Sequence, residues 1–190
     1  MTGSVEVLGR DGGDPIALVA HDPNWRELFS VWRRRLADAL GDVAVSIEHV
    51  GSTAVPDLMA KPVIDLDVAV PDLADEVSYH PAIEGTGLIL MLRDPEHRFF
   101  RPDVARGAVR EVHVHVCEAG SRWQRDHLLF RDYLRAHPER RAAYAALKQD
   151  LAVTCRDDRT AYTDGKTDFV VETLALATRH LQPTASRIVR

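Results

Sequence analysis

Two aspartates within an otherwise apolar stretch are the residues of this sequence best suited to chemistry. Asp65 and Asp67 lie in segment 63–70, "VIDLDVAV", whose composition predicts a buried β-strand. Because side chains alternate along a strand, both carboxylates project from one face, where they repel each other unless they are solvated or share a cation. Carboxylate oxygens held in this way suit a divalent cation such as Mg²⁺. Two solvated acids on a half-exposed strand are the alternative.

A glycine and serine pair lies upstream of the aspartates. Gly51 and Ser52 follow a predicted strand at 45–50, and Lys61 lies between this pair and the strand with the aspartates. A glycine lets the backbone approach a ligand closely, while backbone N–H groups and the Ser52 hydroxyl can donate to phosphate oxygens. The pair therefore indicates a phosphate site, with an ordinary tight turn as the alternative.

The elements that position these residues form a mixed pattern. Segment 22–41 predicts an amphipathic helix, and we interpret the arginines at 33–35 as its solvated face rather than as a phosphate patch. Further strands are predicted at "GTGLILMLR", "HRFF" and "REVHVHVC", and the pattern is helical from Trp123 onward, with a last helix from near Asp164 to Leu181. We predict an α+β fold with a small mixed or antiparallel central sheet, an N-terminal helix and a helical C-terminal third.

The same pattern predicts the organisation of the chain. We expect a flexible leader at 1–14, a single domain at 15–182 and a tail at 183–190. Within the domain, the sheet core covers about 43–118 and the C-terminal helices about 122–181.

Composition narrows the class of protein. The 190 residues are 45% hydrophobic and 28% charged, which is typical of a globular domain. A formal charge of −5 argues against a nucleic-acid partner, and no apolar run is long enough to span a membrane. Cys117 and Cys155 lie far apart without paired spacing, so we expect neither disulfides nor a thiolate zinc site, and a cytoplasmic location.

The sequence also resembles a known protein family. A Gly-Ser pair shortly before Asp-x-Asp matches the minimal motif of the polymerase-β-like nucleotidyltransferase superfamily. The sequence also contains "HDPNW", "EHVGSTAVPDLMAKPVIDLDVAV", "VHVHV", "FRDYLRAHPE", "YAALK" and "AYTDGKTDF". From about Leu18 to Leu181 it resembles the GrpB-like family of that superfamily, which is also found attached to dephospho-coenzyme A kinases. The resemblance implies that the Gly-Ser loop holds a triphosphate and that the aspartates hold the metal that bridges it.

The superfamily normally carries a third carboxylate on a neighbouring strand, and this sequence has histidines there. In "EVHVHV", Glu111, His113 and His115 share one face and three valines share the other. We expect the polar face to meet the two aspartates. His113 and His115 would then favour Mn²⁺, Zn²⁺ or another transition metal over Mg²⁺, or a neutral His113 would accept a proton. Polar residues on a wet strand face are the alternative.

Two further positions bear on the phosphate site. Asp57 stands where the resembling motif has glycine, and it could form a salt bridge with Lys61 or oppose an incoming phosphate. Lys166 matches a lysine that the family carries at the start of its last helix, where an ammonium and a helix N-terminus favour an anion. An ordinary exposed lysine is the alternative.

The hypothesis that follows is a metal-dependent transfer of a nucleoside monophosphate from a nucleoside triphosphate to a small-molecule or protein acceptor. The cofactor would be a divalent metal, Mg²⁺ or Mn²⁺, with Zn²⁺ or another transition metal as the alternative. The predicted residues are Asp65, Asp67 and His113 for catalysis, these three with His115 for the metal, and Gly51, Ser52, Lys61 and Lys166 for the nucleotide. A catalytically inactive nucleotide- or metal-binding module and a transition-metal-dependent enzyme using the Asp/His cluster remain alternatives.

Overall fold

The computed structural model describes residues 5–8 and 16–181 of the chain. The strands in this part are β1 (Glu6–Val7), β2 (Ser46–Val50), β3 (Ile64–Val70), β4 (Leu88–Arg93), β5 (His97–Pro102) and β6 (Val112–Glu118). The helices are α1 (Trp25–Leu40), α2 (Glu76–Glu84), α3 (Arg122–Ala136), α4 (Pro138–Thr154), α5 (Arg159–Asp164) and α6 (Thr167–Leu181). No helix of the described residues is both long and apolar enough to cross a membrane.

The strands form one mixed sheet in the order β1-β4-β5-β6-β3-β2. The interior strands β3 and β6 pair in parallel, and the other described pairs are antiparallel. Strands β3 and β6 are far apart in the sequence and adjacent in the sheet, so the two segments with alternating polar and apolar residues lie side by side. The predicted α+β class, with its mixed sheet and helical C-terminal third, is confirmed.

One face of the sheet is the main apolar core. The side chains that alternate with the aspartates and histidines are fully buried on this face, and helices α1 and α2 cover them. The chief members are Ile64, Leu66, Val68, Val112, Val114, Val116, Trp32, Leu36, Tyr79 and Ile83. Because successive strand residues point to opposite faces, burying this set turns the polar side chains of β3 and β6 to the other face.

A second, smaller core joins the loop after β2 to the C-terminal helices. Val55 and Leu58 of that loop pack with Leu134 of α3 and Tyr144 of α4, and Phe169 of α6 packs against this cluster. The loop that begins at Gly51 is therefore held between the sheet and the helices.

The ends of the chain differ from the prediction in one place. The predicted flexible leader at 1–14 contains β1, whose Glu6 and Val7 pair with Arg93 and Leu92 of β4. The rest of that leader, at 1–4 and 9–14, and the predicted tail at 183–190 lie outside the described residues.

Candidate functional site

The polar faces of β3 and β6 meet at the centre of the sheet. In the parallel register Asp65 pairs with His113 and Asp67 with His115. Directly paired residues share a face, so all four side chains lie on the same side of the sheet. The expected juxtaposition of the aspartates and the histidines is therefore present.

Asp65 forms a hydrogen-bonded pair with His113. His113 Nδ1 lies 3.2 Å from Asp65 Oδ1, and 30% of the aspartate side chain is exposed. Burial alone would raise the pKa of Asp65, but the hydrogen bond and charge of His113, with smaller contributions from His115 and Lys61, lower it to about 2. An ionised carboxylate only accepts hydrogen bonds, so His113 carries a proton on Nδ1. Its Nε2 atom is buried and has no hydrogen-bond partner among the described residues.

Asp67 is paired with a histidine of α3. Its side chain is fully buried, and its two carboxylate oxygens lie 3.1 and 2.9 Å from His127 Nδ1. Burial would lower the pKa of His127, but the hydrogen bond and negative charge of Asp67 outweigh it and raise this pKa. The sequence analysis placed no site residue on α3. A histidine at an inward-facing helical position, four residues after Trp123, is the signal that could have identified His127.

His115 lies in an aromatic environment. Its ring centroid is 5.1 Å from that of Phe99 in a stacked arrangement, 5.3 Å from that of His97 and 5.8 Å from that of Trp123. Burial, assisted by His97, lowers the pKa of His115 well below its ordinary value. The ring is therefore neutral at pH 7, and its buried Nδ1 has no hydrogen-bond partner within the described part of the chain.

The Gly-Ser loop is in direct contact with the Asp65 carboxylate. Gly51 has φ 67° and ψ −170°, a conformation that only glycine adopts readily. A Cβ atom at this position would overlap the carboxylate, and it would lie only 3.0 Å from Asp65 Cβ. The predicted phosphate loop and the predicted acidic strand are thus in contact.

All three lysines of the sequence gather beside this loop, although Lys and Arg together number 24. Lys148 Nζ donates to Ser52 Oγ at 3.0 Å and also to the Met59 carbonyl. Lys61 and Lys166 lie over the same ring of Tyr162, with Nζ 5.3 and 4.7 Å from its centroid. One ammonium group is therefore bonded to the Ser52 hydroxyl, and two lie over the ring of Tyr162.

Burial and mutual repulsion lower the pKa values of two of the lysines. Burial is the main cause that lowers the pKa of Lys148 to about 7, followed by Lys166 and, after a partial offset by Asp65, Lys61. Burial and Lys61 likewise lower the pKa of Lys166 to about 8. An anionic ligand would relieve this repulsion, so the cluster is suited to phosphate.

Lys61 and Lys166 were predicted as site residues, but Lys148, which is only 2% exposed, was not. Lys148 follows Tyr144 by four residues, so both lie on the inward face of α4. The scarcity of lysine in an arginine-rich sequence is the signal that could have identified it.

Asp57 does not have either of its expected roles. Its backbone adopts φ 63°, the left-handed conformation for which glycine is favoured, and the residue points outward with 80% of its side chain exposed. Asp57 forms an ion pair with Arg141 at 3.6 Å, and not the predicted salt bridge with Lys61. Glu111 also leaves the face predicted for it, because it precedes β6 and accepts a hydrogen bond from Trp32 Nε1 at 3.1 Å.

The donors of this face fit a metal ion only in part. Carboxylate and imidazole suit Mn²⁺ or Zn²⁺, and the buried Nε2 of His113 and Nδ1 of His115 are without hydrogen-bond partners in the described part of the chain. Both oxygens of Asp67, however, are engaged with His127. Within residues 5–8 and 16–181, no three His, Cys, Asp or Glu side chains converge in a group that could hold a metal ion. The predicted four-residue metal set is therefore not assembled, and metal binding stays a prediction.

Comparison with known proteins identifies the family. The model of the family described as GrpB protein matches residues 15–175, and the chain belongs to this family, which confirms the predicted resemblance. The chain is 40% identical to a UPF0157 protein of Streptomyces coelicolor, over 88% of this chain and 87% of that protein. It is 30% identical to a dephospho-CoA kinase of Mycobacterium leprae, over 92% of this chain and 49% of the kinase. The crystal structure of conserved protein GrpB from Enterococcus faecalis superposes with a TM-score of 0.76 at 28% identity, covering 86% of this chain and 98% of that one.

Proposed function

We propose that this chain binds a nucleoside triphosphate beside the Gly51–Ser52 loop and transfers its nucleoside monophosphate to a hydroxyl group of a small-molecule or protein acceptor. The contact between Gly51 and the Asp65 carboxylate is the observation that carries the proposal. A glycine backbone suited to phosphate is thereby in contact with an ionised carboxylate, which supports the use of the Gly-Ser and Asp-x-Asp motif as in nucleotidyltransferases.

The lysine cluster supports the choice of a triphosphate. Ser52 and Lys148 are hydrogen-bonded, and Lys61 and Lys166 lie on the ring of Tyr162 close by. A triphosphate carries several negative charges along its length, which three separate ammonium groups can neutralise. Binding also restores protons to lysines whose pKa values lie near neutrality, so affinity rises as pH falls through 8 and 7.

His113 is the proposed proton acceptor. Asp65 accepts the hydrogen bond from its Nδ1–H, and its buried Nε2 has no hydrogen-bond partner among the described residues, so this nitrogen could accept a proton. The acceptor hydroxyl would give its proton to this Nε2 atom while its oxygen bonds to the α-phosphorus, and pyrophosphate would leave with the electrons of the broken P–O bond. Asp65 would stabilise the resulting imidazolium.

A divalent cation bound by Asp65 with an imidazole nitrogen of His113 or His115 would supply further neutralisation of phosphate charge. His113 cannot serve as metal ligand and proton acceptor through Nε2 at once. Substitution of His113 therefore distinguishes these two roles. Loss of turnover with intact metal affinity would support His113 as the proton acceptor, and loss of both turnover and metal affinity would support it as a metal ligand.

A second candidate function is a binding module that retains the nucleotide but has no turnover. The specific observation in its favour is the complete burial of Asp67 and the engagement of both its oxygens by His127. An aspartate that cannot reach a ligand leaves the proposed site with one accessible carboxylate.

Calorimetry distinguishes these functions. The four nucleoside triphosphates are titrated with Mg²⁺, Mn²⁺ and Zn²⁺ into the wild type, Asp65→Asn, Lys148→Met and the control Asp42→Asn, an exposed aspartate in the turn after α1. We expect binding in the wild type and the control, and at least tenfold weaker binding in the other two variants. A nucleoside triphosphate labelled on its α-phosphate is then incubated with a metabolite pool. A new labelled product supports transfer, and binding without product supports the module. The absence of heat with all four nucleotides and all three metals would overturn both.

A further inference from the structure

A cationic cleft lies apart from the Asp/His and lysine site. It is bounded by α1, by the β2 edge of the sheet and by the turn Ser52–Ala54, and has a volume of about 940 Å³. We call it the α1 cleft and define it by Arg26, Arg33 and Arg34 of α1 and by Arg135 of α3. None of the described residues that line it is acidic. The α1 side of the cleft is therefore basic, whereas Arg135 forms an ion pair with Asp132 at 3.1 Å.

The charges of the α1 arginines are uncompensated. Arg26, Arg33 and Arg34 are exposed and form no ion pair with any described residue. In contrast, Arg98, Arg131 and other arginines of the fold are paired with carboxylates. Like charges that face a concavity with low-dielectric walls focus a positive potential into it. The arginine run is exposed, as predicted for a solvated helix face. The prediction did not include the cleft that Arg33 and Arg34 line.

The floor of the α1 cleft is rigid. Arg135 donates from Nε and Nη2 to the Ala54 carbonyl at 2.9 and 2.7 Å, which fixes its guanidinium against the turn. His49 lies 3.0 Å from the Thr53 hydroxyl through Nε2 and stacks on Phe29 with ring centroids 4.8 Å apart. The ordering of these groups costs nothing at the moment of binding, because the fold already holds them.

The spacing of the arginines suits a ligand with several phosphate groups. Arg26 and Arg33 are seven residues apart on α1, a rise of roughly 10 Å along a helix axis. A chain of phosphates that lies along α1 can give each guanidinium its own phosphate group, and guanidinium groups bind phosphate oxygens through paired hydrogen bonds. The volume lies within the range of small-ligand pockets, ~300–1,000 Å³. We propose that the α1 cleft binds a ligand that carries a chain of phosphate groups.

This site is distinct from the site of the proposed function. Thr53 and Ala54 line the α1 cleft, whereas the preceding Ser52 hydroxyl is bonded to Lys148. The same short turn therefore separates two anion-binding regions. One is made of lysines and the other of arginines.

The test is a calorimetric count of binding sites for inorganic tripolyphosphate in the presence of a metal chelator. The variant is R33Q/R34Q, and the matched control is R35Q/R179Q, which removes the same charge from exposed arginines outside the cleft. We expect two equivalents to bind the wild type and the control, and one to bind R33Q/R34Q, with the lost site weakened at least tenfold. If the lysine site does not bind, the wild type binds one equivalent and R33Q/R34Q none, which still supports the α1 cleft. Equal stoichiometry and affinity in R33Q/R34Q and R35Q/R179Q would overturn it. Thermal melting verifies that each variant is folded.

A second titration with ATP, again without metal, identifies the source of the phosphate chain. ATP that binds the α1 cleft more tightly than tripolyphosphate indicates a nucleotide, and the reverse order indicates an inorganic chain. Either order of affinity supports the proposal, provided that R33Q/R34Q abolishes binding of the ligands to the α1 cleft.

Discussion

Replacement of Gly51 by alanine tests the central geometry of the site. Two separate effects destabilise this variant: the φ of 67° with ψ −170°, and the overlap of the new Cβ with the Asp65 carboxylate. A backbone in this glycine-only region costs about 1–3 kcal/mol for other residues. Forced overlap in a packed site adds roughly another 1–3 kcal/mol. For a domain of this size, each kcal/mol lowers the melting temperature by about 2–4 °C.

Gly41→Ala is the matched control. Gly41 also combines a positive φ of 53° with an extended ψ of −132°, but a Cβ there meets nothing within 4 Å. Circular dichroism melts and urea unfolding should therefore show that Gly51→Ala is less stable than Gly41→Ala by about 1 kcal/mol or more.

A double-mutant cycle attributes this excess to Asp65. Asp65→Ala removes the carboxylate but leaves its Cβ, 3.0 Å from the Cβ built at position 51, so it should relieve a part of the cost of Gly51→Ala. Equal stability of the two glycine variants, together with zero coupling to Asp65→Ala, would refute the contact on which the proposed function depends.

Three further predictions concern single residues. The pKa of Asp65 is lowered from 3.8 to about 2. Its contribution to the free energy of unfolding is therefore fully present above pH ~4 and is lost as pH falls through 2. The stability lead of the wild type over Asp65→Asn, from urea unfolding, should shrink by roughly 1–2 kcal/mol between pH 5 and 2, and a constant difference would contradict this pKa. The pKa of His127 is raised, so its pair with Asp67 stabilises the fold fully below pH 6.5 and less as pH rises through the folded pKa. Nuclear magnetic resonance titration should give a lower His127 pKa in Asp67→Asn, and an unchanged value would rule the pair out as the cause. Asp57→Gly relieves a left-handed backbone and should raise the melting temperature by about 2–4 °C, whereas a decrease would show that the Arg141 ion pair dominates.

The sequence predicted the centre of the fold because its signal there is periodic. Alternation in 63–70 and 110–117 defined β3 and β6 and also separated their apolar and polar faces. The two-residue strand β1 and the six-residue helix α5 are too short to contain a period, and neither was predicted. The parallel pairing of β3 with β6 depends on packing between distant segments, which no local pattern encodes.

The sequence anticipated contacts between polar residues that interrupt apolar strands, and it missed contacts made by polar residues on helices. Asp65 and His113 stand out against their strands and are in contact. His127 and Lys148 lie on helices, where no local pattern marks them, and only the fold shows that His127 contacts Asp67 and that Lys148 contacts Ser52. The partner of Asp57 was wrong because its left-handed backbone turns the side chain away from Lys61.

The position of every lysine near Ser52 or Tyr162 has a practical consequence for biophysical work. Amine-reactive dyes, crosslinkers and sensor chips would attach, apart from the α-amino group, only to Lys61, Lys148 or Lys166. Immobilisation by this chemistry would block the proposed nucleotide site, so a flat sensorgram from such a surface would carry no information. The same placement is an advantage in spectroscopy, because reductive methylation with a carbon-13 reagent would yield only lysine reporters from this region.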